Sequence, residues 1–141
     1  MTVRVSWDGL EIAGPCAAGP LRRETSVVEV RDGLLSPWLV QMVPDLTRCP
    51  AITLDRPLGT DRAFLAWAAQ VAPFPVGPVP QPPDFRKEVT LEFTGVGVLP
   101  RYRLVAAWPA AYEVLDQPDG LARERLTLVH EGFERLDDAV A

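Results

Sequence analysis

His130 is the only histidine in the chain, and it stands beside Glu131 with Glu134 close behind. An imidazole next to carboxylates is a pairing used for general-base catalysis, because the carboxylate orients the ring and stabilises its protonated form. The role also needs a nucleophile or a bound water within hydrogen-bond reach, and no motif around His130 supplies either. His130 therefore reads as a structural or surface residue. Cys16 and Cys49 are the only cysteines, with no C-x-x-C pair and no histidine at metal-ligand spacing. Two free, largely buried thiols fit this pattern, and so does a Cys16–Cys49 disulfide, since separation in sequence does not fix separation in space. Neither Asp137-Asp138 nor Glu29 with Asp32 forms a paired-carboxylate or calcium-loop pattern, so the acidic groups read as solvated surface charge. Gly95-Val96-Gly97 is too short for a phosphate fingerprint and opens no helix. No serine sits in a nucleophile elbow. No catalytic, cofactor-binding or metal-binding residue is assigned, and an enzyme is not expected.

Trp7, Trp38, Trp67 and Trp108 are the remaining candidates for a ligand-stacking surface, here a sugar or other flat ligand. Each falls on the apolar face of its element, so core or interface anchoring accounts for them without a ligand. The 141 residues are 48% hydrophobic, enough for one core and one domain over 1–141. A formal charge of −5 argues against direct binding to nucleic acid, which needs clustered Lys and Arg. The N-terminus M-T-V-R-V-S-W-D-G has no basic region followed by an apolar run, so no signal peptide is expected. No stretch approaches the roughly eighteen apolar residues of a spanning helix, so membrane insertion is not expected either.

The elements that position these residues are mostly strands. Met1 to Trp7 alternates, with Val3, Val5 and Trp7 on one face, and Asp8-Gly9 closes it as a turn. A small Gly- and Pro-punctuated stretch, Ala13 to Pro20, leads to a second long strand over Arg22 to Arg31 with one wet face. Trp38 to Val43 is a continuous apolar run suited to a strand covered on both faces or meeting another subunit. Ala51 to Asp55 follows as the next strand, and the two form a hairpin with a broad tip at Pro44 to Pro50. Phe64, Leu65, Trp67, Ala68 and Val71 share a helical stripe, which predicts a helix over Asp61 to Ala72 with Thr60 as N-cap. Lys87 to Thr94 places Val89, Leu91 and Phe93 inward, Gly95 to Gly97 turns, and Arg101 to Trp108 is its antiparallel partner. Leu121 to Glu131 is the last strand, with Leu126, Leu128 and His130 on one face.

Between the helix and Lys87 lies P-F-P-V-G-P-V-P-Q-P-P, residues 73–83, with six prolines in eleven residues. Most of these amides cannot join a ladder, so the segment is a stiff extended strap. About seven strands and one helix predict a mainly β fold: an antiparallel β-sandwich or partly closed barrel with one flanking α-helix.

Two blocks then become recognisable together, V-P-D-L-T-R-C-P-A-I-T-L-D-R-P-L-G-T-D-R-A-F-L-A-W over Val43 to Trp67 and A-A-W-P-A-A-Y-E-V followed by E-R-L-T-L-V-H-E-G-F-E-R-L. In this order they resemble the tail tube protein family of contractile phages and phage-derived injection systems, over most of residues 1–136. The matching positions are Leu46, Thr47, Pro50, Ile52, Leu54, Arg56, Asp61, Trp67, Trp108, Pro109, Tyr112, Leu126, Leu128, His130, Glu131, Gly132 and Arg135. The resemblance implies packing, turn-forming and subunit-contact roles for them. It also implies six-membered rings in which long hairpins of neighbours combine into a continuous β-lining around a channel.

On that resemblance the chain is expected to be a ring subunit of the inner tube, or of a tube-initiating or baseplate-adaptor layer. The second form is suggested by three departures: Pro44-Asp45-Leu46 in place of Pro-Gly-Leu, the proline strap, and the apolar run Trp38 to Val43. The implied partners are other copies, adjacent tube rings, sheath and baseplate or spike proteins, with assembly in the cytoplasm before incorporation into a particle. Subunit contact is expected at Trp38, Val40, Met42, Asp45 and Arg48, the last two at a polar tip that touches the adjacent ring. The alternative is a stand-alone peptide- or glycan-binding module that uses the strap or exposed tryptophans.

Overall fold

The computed structural model describes residues 2–31, 40–59, 61–71, 85–94 and 100–136. Trp38, Thr60, the 73–83 strap, the Gly95 to Gly97 turn and Asp137-Asp138 lie outside the described residues.

Strand β1 (Thr2–Trp7) turns over Asp8-Gly9 into β2 (Leu10–Ala18), and both turn residues have positive φ, 54° and 74°. That is the geometry of a tight hairpin turn whose twist matches the strands, and Asp-Gly adopts it readily. The strand content of Leu10–Ala18 is a correction, because Gly14-Pro15 concealed it. Val3 faces Cys16 while Val5 faces Ile12, so β2 carries two extra residues over this span, and the Gly-Pro pair sits in that irregularity. Ile12, Cys16 and Ala18 remain buried on either side of it.

Strand β5 (Ile52–Pro57) pairs with β2 and with β8 (Ala122–Val129), and β7 (Arg101–Asp116) pairs with both β8 and β6 (Lys87–Phe93). Because β6 also pairs with β1, six strands close into a barrel in the order β6-β1-β2-β5-β8-β7, which decides between the two expected architectures. Closure removes the exposed edges that an open sheet would leave. Strand β7 runs well past the predicted end at Trp108, through Pro109, because it serves two partners in turn: Arg101 to Ala107 faces β6, and Trp108 to Asp116 faces β8. The last strand also differs from expectation. It breaks after Val129 and resumes as β9 (Gly132–Leu136), flanking β7 in unchanged register, with Trp108 opposite Val129 and Val105 opposite Gly132.

Val3, Val5, Leu54, Val89, Leu91, Leu104, Leu126 and Leu128 fill the interior, as alternation requires. Helix α1 (Ala63–Val71) packs on β7 and β8. It starts two residues later than predicted, and Asp61 caps it by accepting the Ala63 amide at 2.7 Å. Phe64 and Trp67 are fully buried against Trp7, with ring centroids 5.9 and 4.7 Å away, and the Trp67 indole donates to the Phe85 carbonyl at 2.8 Å. Leu65, expected in the same stripe, is exposed. Trp108 is half-buried and meets the edge of Phe85 at 5.7 Å, so it is a rim residue and not a core one.

Among the described residues, strands β3 (Glu24–Arg31) and β4 (Val40–Arg48) pair only with each other. The predicted hairpin between the Trp38 to Val43 run and Ala51 to Asp55 does not form: β4 returns along β3, and Pro44 to Arg48 continues the strand instead of forming a tip. Thr47 faces Thr25 and Arg48 faces Glu24, which puts this segment at the base of the ribbon.

Burial separates the two tryptophans. Trp67→Ala should lower unfolding free energy by about 3–5 kcal/mol, and Trp108→Ala by no more than about 1–2 kcal/mol, in urea denaturation.

Candidate assembly interface

The β3–β4 ribbon is where the chain leaves most unsatisfied. Val27, Val28, Val30, Met42 and Leu46 are among its exposed apolar side chains, with Met42 at 63% and Leu46 at 74%. The register places Val28, Val30, Val43 and Gln41 on one face, and Val27, Glu29, Arg31, Val40, Met42 and Pro44 on the other. Apolar residues therefore occupy both faces. Neither outer edge has a strand partner among the described residues. A two-stranded ribbon with no sheet beneath it is marginal in water, and its free amides and carbonyls are a template for pairing with another chain.

Polar contacts set the ribbon's base. Ser26 stands opposite both Asp45 and Leu46, and its hydroxyl donates to the Leu46 carbonyl and accepts from the Leu46 amide, each at 3.1 Å. This bulge keeps the two strands paired on either side of Asp45-Leu46. Thr25 and Thr47 share a hydroxyl hydrogen bond of 2.8 Å, and Arg48 donates to Glu24 at 2.6 Å. The hydrogen bond from Arg48, helped by the nearby Arg22, holds the Glu24 carboxyl below its ordinary value. Of the five expected contact residues, Val40, Met42, Asp45 and Arg48 all lie on β4, and Trp38 lies outside the described residues.

The base of the ribbon is tied to the barrel by the H-E-G motif. One ring nitrogen of His130 faces the Pro50 carbonyl at 3.2 Å, in the segment joining β4 to β5, and the other faces the Gly132 carbonyl at 3.1 Å. The Glu131 amide donates to the Val105 carbonyl at 2.9 Å, which carries the β7 pairing across the break. Gly132 has φ of 155°, a conformation that side chains disfavour. The motif is a strand joint and a clasp.

A second polar cluster lies inside the barrel, and sequence reasoning missed it. Arg56 and Glu124 are 3% and 2% exposed, and the guanidinium Nε donates to Glu124 Oε1 at 2.5 Å. Arg56 also donates to the Ala13 carbonyl at 3.0 Å and to Asp61 Oδ2 at 3.2 Å, and lies 4.2 Å from the Phe64 ring centroid. Tyr112 donates to Glu124 Oε2 at 2.7 Å. Removal from water, and then the contact with the Glu124 carboxylate, push the Tyr112 phenol up to about 12. One cation thus joins β2, β5, β8 and the start of α1. Glu124 corrects the reading of the acidic groups as solvated, and the signal was present: it shares strand parity with Leu126 and Leu128.

Both cysteines are free; Cys16 is buried, and burial pushes its thiol up. Among the described residues no group of three or more His, Cys, Asp or Glu side chains is placed to hold a metal, and no helix is long and apolar enough to cross a membrane. Trp7 and Trp67 are buried and Trp108 is half-buried, so no described tryptophan offers an exposed stacking face.

A family model described as "T4-like virus tail tube protein gp19" matches residues 2–134. Among solved structures, the fold is shared with a chain of the sheath/tube terminator of the PVC extracellular contractile injection system, at 16% identity and TM-score 0.71, over 96% of this chain and 93% of that one. A chain of the anti-feeding prophage tube-terminating cap gives 17% identity and TM-score 0.70, over 96% and 87%. Hcp1 from Flavobacterium johnsoniae gives 10% identity and TM-score 0.57, over 96% and 95%. No curated protein matches the chain.

Removing one member of the buried pair strands the other. Glu124→Ala should cost about 3–5 kcal/mol. Tyr112 makes a smaller, pH-dependent contribution. Because its phenol is raised from 10 to about 12, the stabilisation it brings is complete below pH 10 and is lost as pH rises towards 12. Chemical denaturation across this range should show a steeper decline for the wild type than for Tyr112→Phe.

Proposed function

Because the chain belongs to the family of the T4-like virus tail tube protein gp19, we propose that it forms a ring, six-membered as in the resemblance described above, within a contractile phage tail or phage-derived injection system. The barrel is the rigid body of the subunit. The ribbon is the part that assembles: its edges pair with ribbons of neighbouring copies, so that the ladder left open in one chain closes around the ring. The observation that carries this reading is a ribbon apolar on both faces whose edges have no strand partner among the described residues.

Within this family role, the departures at Asp45 and in the apolar β4 run favour a tube-initiating or baseplate-adaptor layer over the repeating body of the tube. Adjacent rings, sheath and baseplate or spike proteins are the partners of such a layer, assembled in the cytoplasm and carried in the particle. The barrel interior is filled by side chains, and the work assigned to the chain is structural.

A charge on the ribbon separates assembly from folding. Met42→Asp should leave the unfolding free energy of the free subunit within about 0.5 kcal/mol of wild type, because Met42 is exposed there. The same variant should abolish the ring in native mass spectrometry and negative-stain micrographs. Rings that persist in Met42→Asp, or wild-type protein that stays monomeric at high concentration, would contradict the proposal.

A further inference from the structure

His130 stands between two acceptors that a neutral imidazole cannot satisfy together. Its Nδ1 lies 3.1 Å from the Gly132 carbonyl oxygen, and its Nε2 lies 3.2 Å from the Pro50 carbonyl oxygen. A carbonyl oxygen only accepts, and the neutral ring carries a single N–H, so one ring nitrogen would turn its lone pair on an oxygen. The imidazolium donates from both. His130, Pro50 and Gly132 are all half-buried, so water only partly repays a carbonyl left facing that lone pair.

Three elements meet at this ring. The β7 stretch Val105 to Trp108, opposite the β8–β9 break, carries no charge. The link from β4 to β5 brings Arg48, which is held by Glu24, and Cys49, a free thiol. The β8–β9 line brings Glu131 and Arg135, both exposed, and Glu134, which is bound to Arg103. The Phe133 ring stands edge-on with its centroid 6.3 Å away. Acidic and basic groups are matched here, so the two carbonyls decide which form of the imidazole fits.

We propose that the clasp is a proton switch at the ribbon's root: His130 holds Pro50 and Gly132 together only as the imidazolium, and gives up one of the two bonds when the ring is neutral. Imidazole makes this change between about pH 5 and pH 8, and His130 is the only histidine in the chain. Loss of the Nε2 proton unties the link between β4 and β5 from the barrel; loss of the Nδ1 proton loosens the β8–β9 joint that anchors it. The folded chain gives the added proton a carbonyl partner that the unfolded chain lacks, so the stabilisation is complete at acid pH and falls as pH rises through that range. Acid pH thus favours a ribbon held at one angle, and higher pH one held less firmly. The clasp lies within a single chain, so it stands or falls independently of the ring reading.

Urea unfolding of the free subunit at about pH 5.5 and about pH 8 tests the switch, with His130→Gln, which has no titrating proton, measured beside it. The wild-type unfolding constant should be about five- to tenfold smaller at the acid value, the effect of one charge-assisted hydrogen bond. The variant's constant should change less than about twofold. Amide exchange at Leu54 and Leu126, both buried in the barrel, shows whether the variant keeps its fold. A second readout needs no variant: nitrogen NMR of the wild-type imidazole at the acid value should find both ring N–H protons slow to exchange with water. A wild type whose constant tracks the variant's, a wild type that gains stability as pH rises, or ring protons that exchange freely at acid pH would each overturn the proposal.

Discussion

Among the described residues, Glu24–Arg31 and Val40–Arg48 have no strand partner but each other, and the rest of the molecule is arranged around that open-edged ribbon. A strand pair cannot hide its outer edges, and this one also shows valines and a methionine to solvent on both faces. A chain can keep such a ribbon only if the rest of it folds without the ribbon's help. Here the rest is a closed six-stranded barrel with its own buried core, so folding does not rest on the ribbon's edges. Unpaired strand edges invite promiscuous association; attaching them to a rigid body at a fixed angle makes one partner geometry favoured over the others.

The angle is fixed by polar chemistry. Arg56 is worth little as a source of stability against an apolar replacement, since burying an ion pair costs desolvation that its attraction roughly repays. Its value is geometric. A planar guanidinium bonded at once to Glu124, Asp61 and the Ala13 carbonyl allows one arrangement of β2, β5, β8 and the helix start. His130 does the same at the ribbon's root, holding Pro50 against the β8–β9 joint. Tolerance at His130 would be multiplied along the ribbon's length.

Much of this was legible in the sequence because alternation is a direct consequence of the pleat. Val3-Val5-Trp7 and Val89-Leu91 alternate inward, and Asp8-Gly9 forms the turn that its residue types favour. The helix stripe was read correctly at Phe64 and Trp67. The failures have physical causes. Gly14-Pro15 hid a strand because local propensity disfavours both residues there, and only the irregular pairing with β1 makes room for them. Pro44 and Pro109 read as strand ends, yet each is carried through by a strand. Pairing partners were the weakest point, since nothing in β4 itself says that it returns along β3 instead of continuing to β5.

Val40 and Met42, expected contact residues of the apolar run, lie on β4, whereas Asp45 and Arg48, expected at a polar tip, stand at the ribbon's root. Glu124 shows a different limit. A charge at an inward parity position looks like an error in the pattern until its partner is known, and Arg56, at inward parity on β5, was that partner. Reading both exceptions together would have found the pair.

The central claim is that the barrel is a finished fold and the ribbon is completed only between copies. Amide hydrogen exchange, resolved by strand, tests it most directly in free and assembled protein. The account predicts that amides of Glu24–Arg31 and Val40–Arg48 exchange orders of magnitude faster than those of β1, β5 and β8 in the free subunit, and reach comparable protection on assembly. Ribbon amides already protected like the barrel's in the free chain, or left unprotected in the assembly, would contradict it.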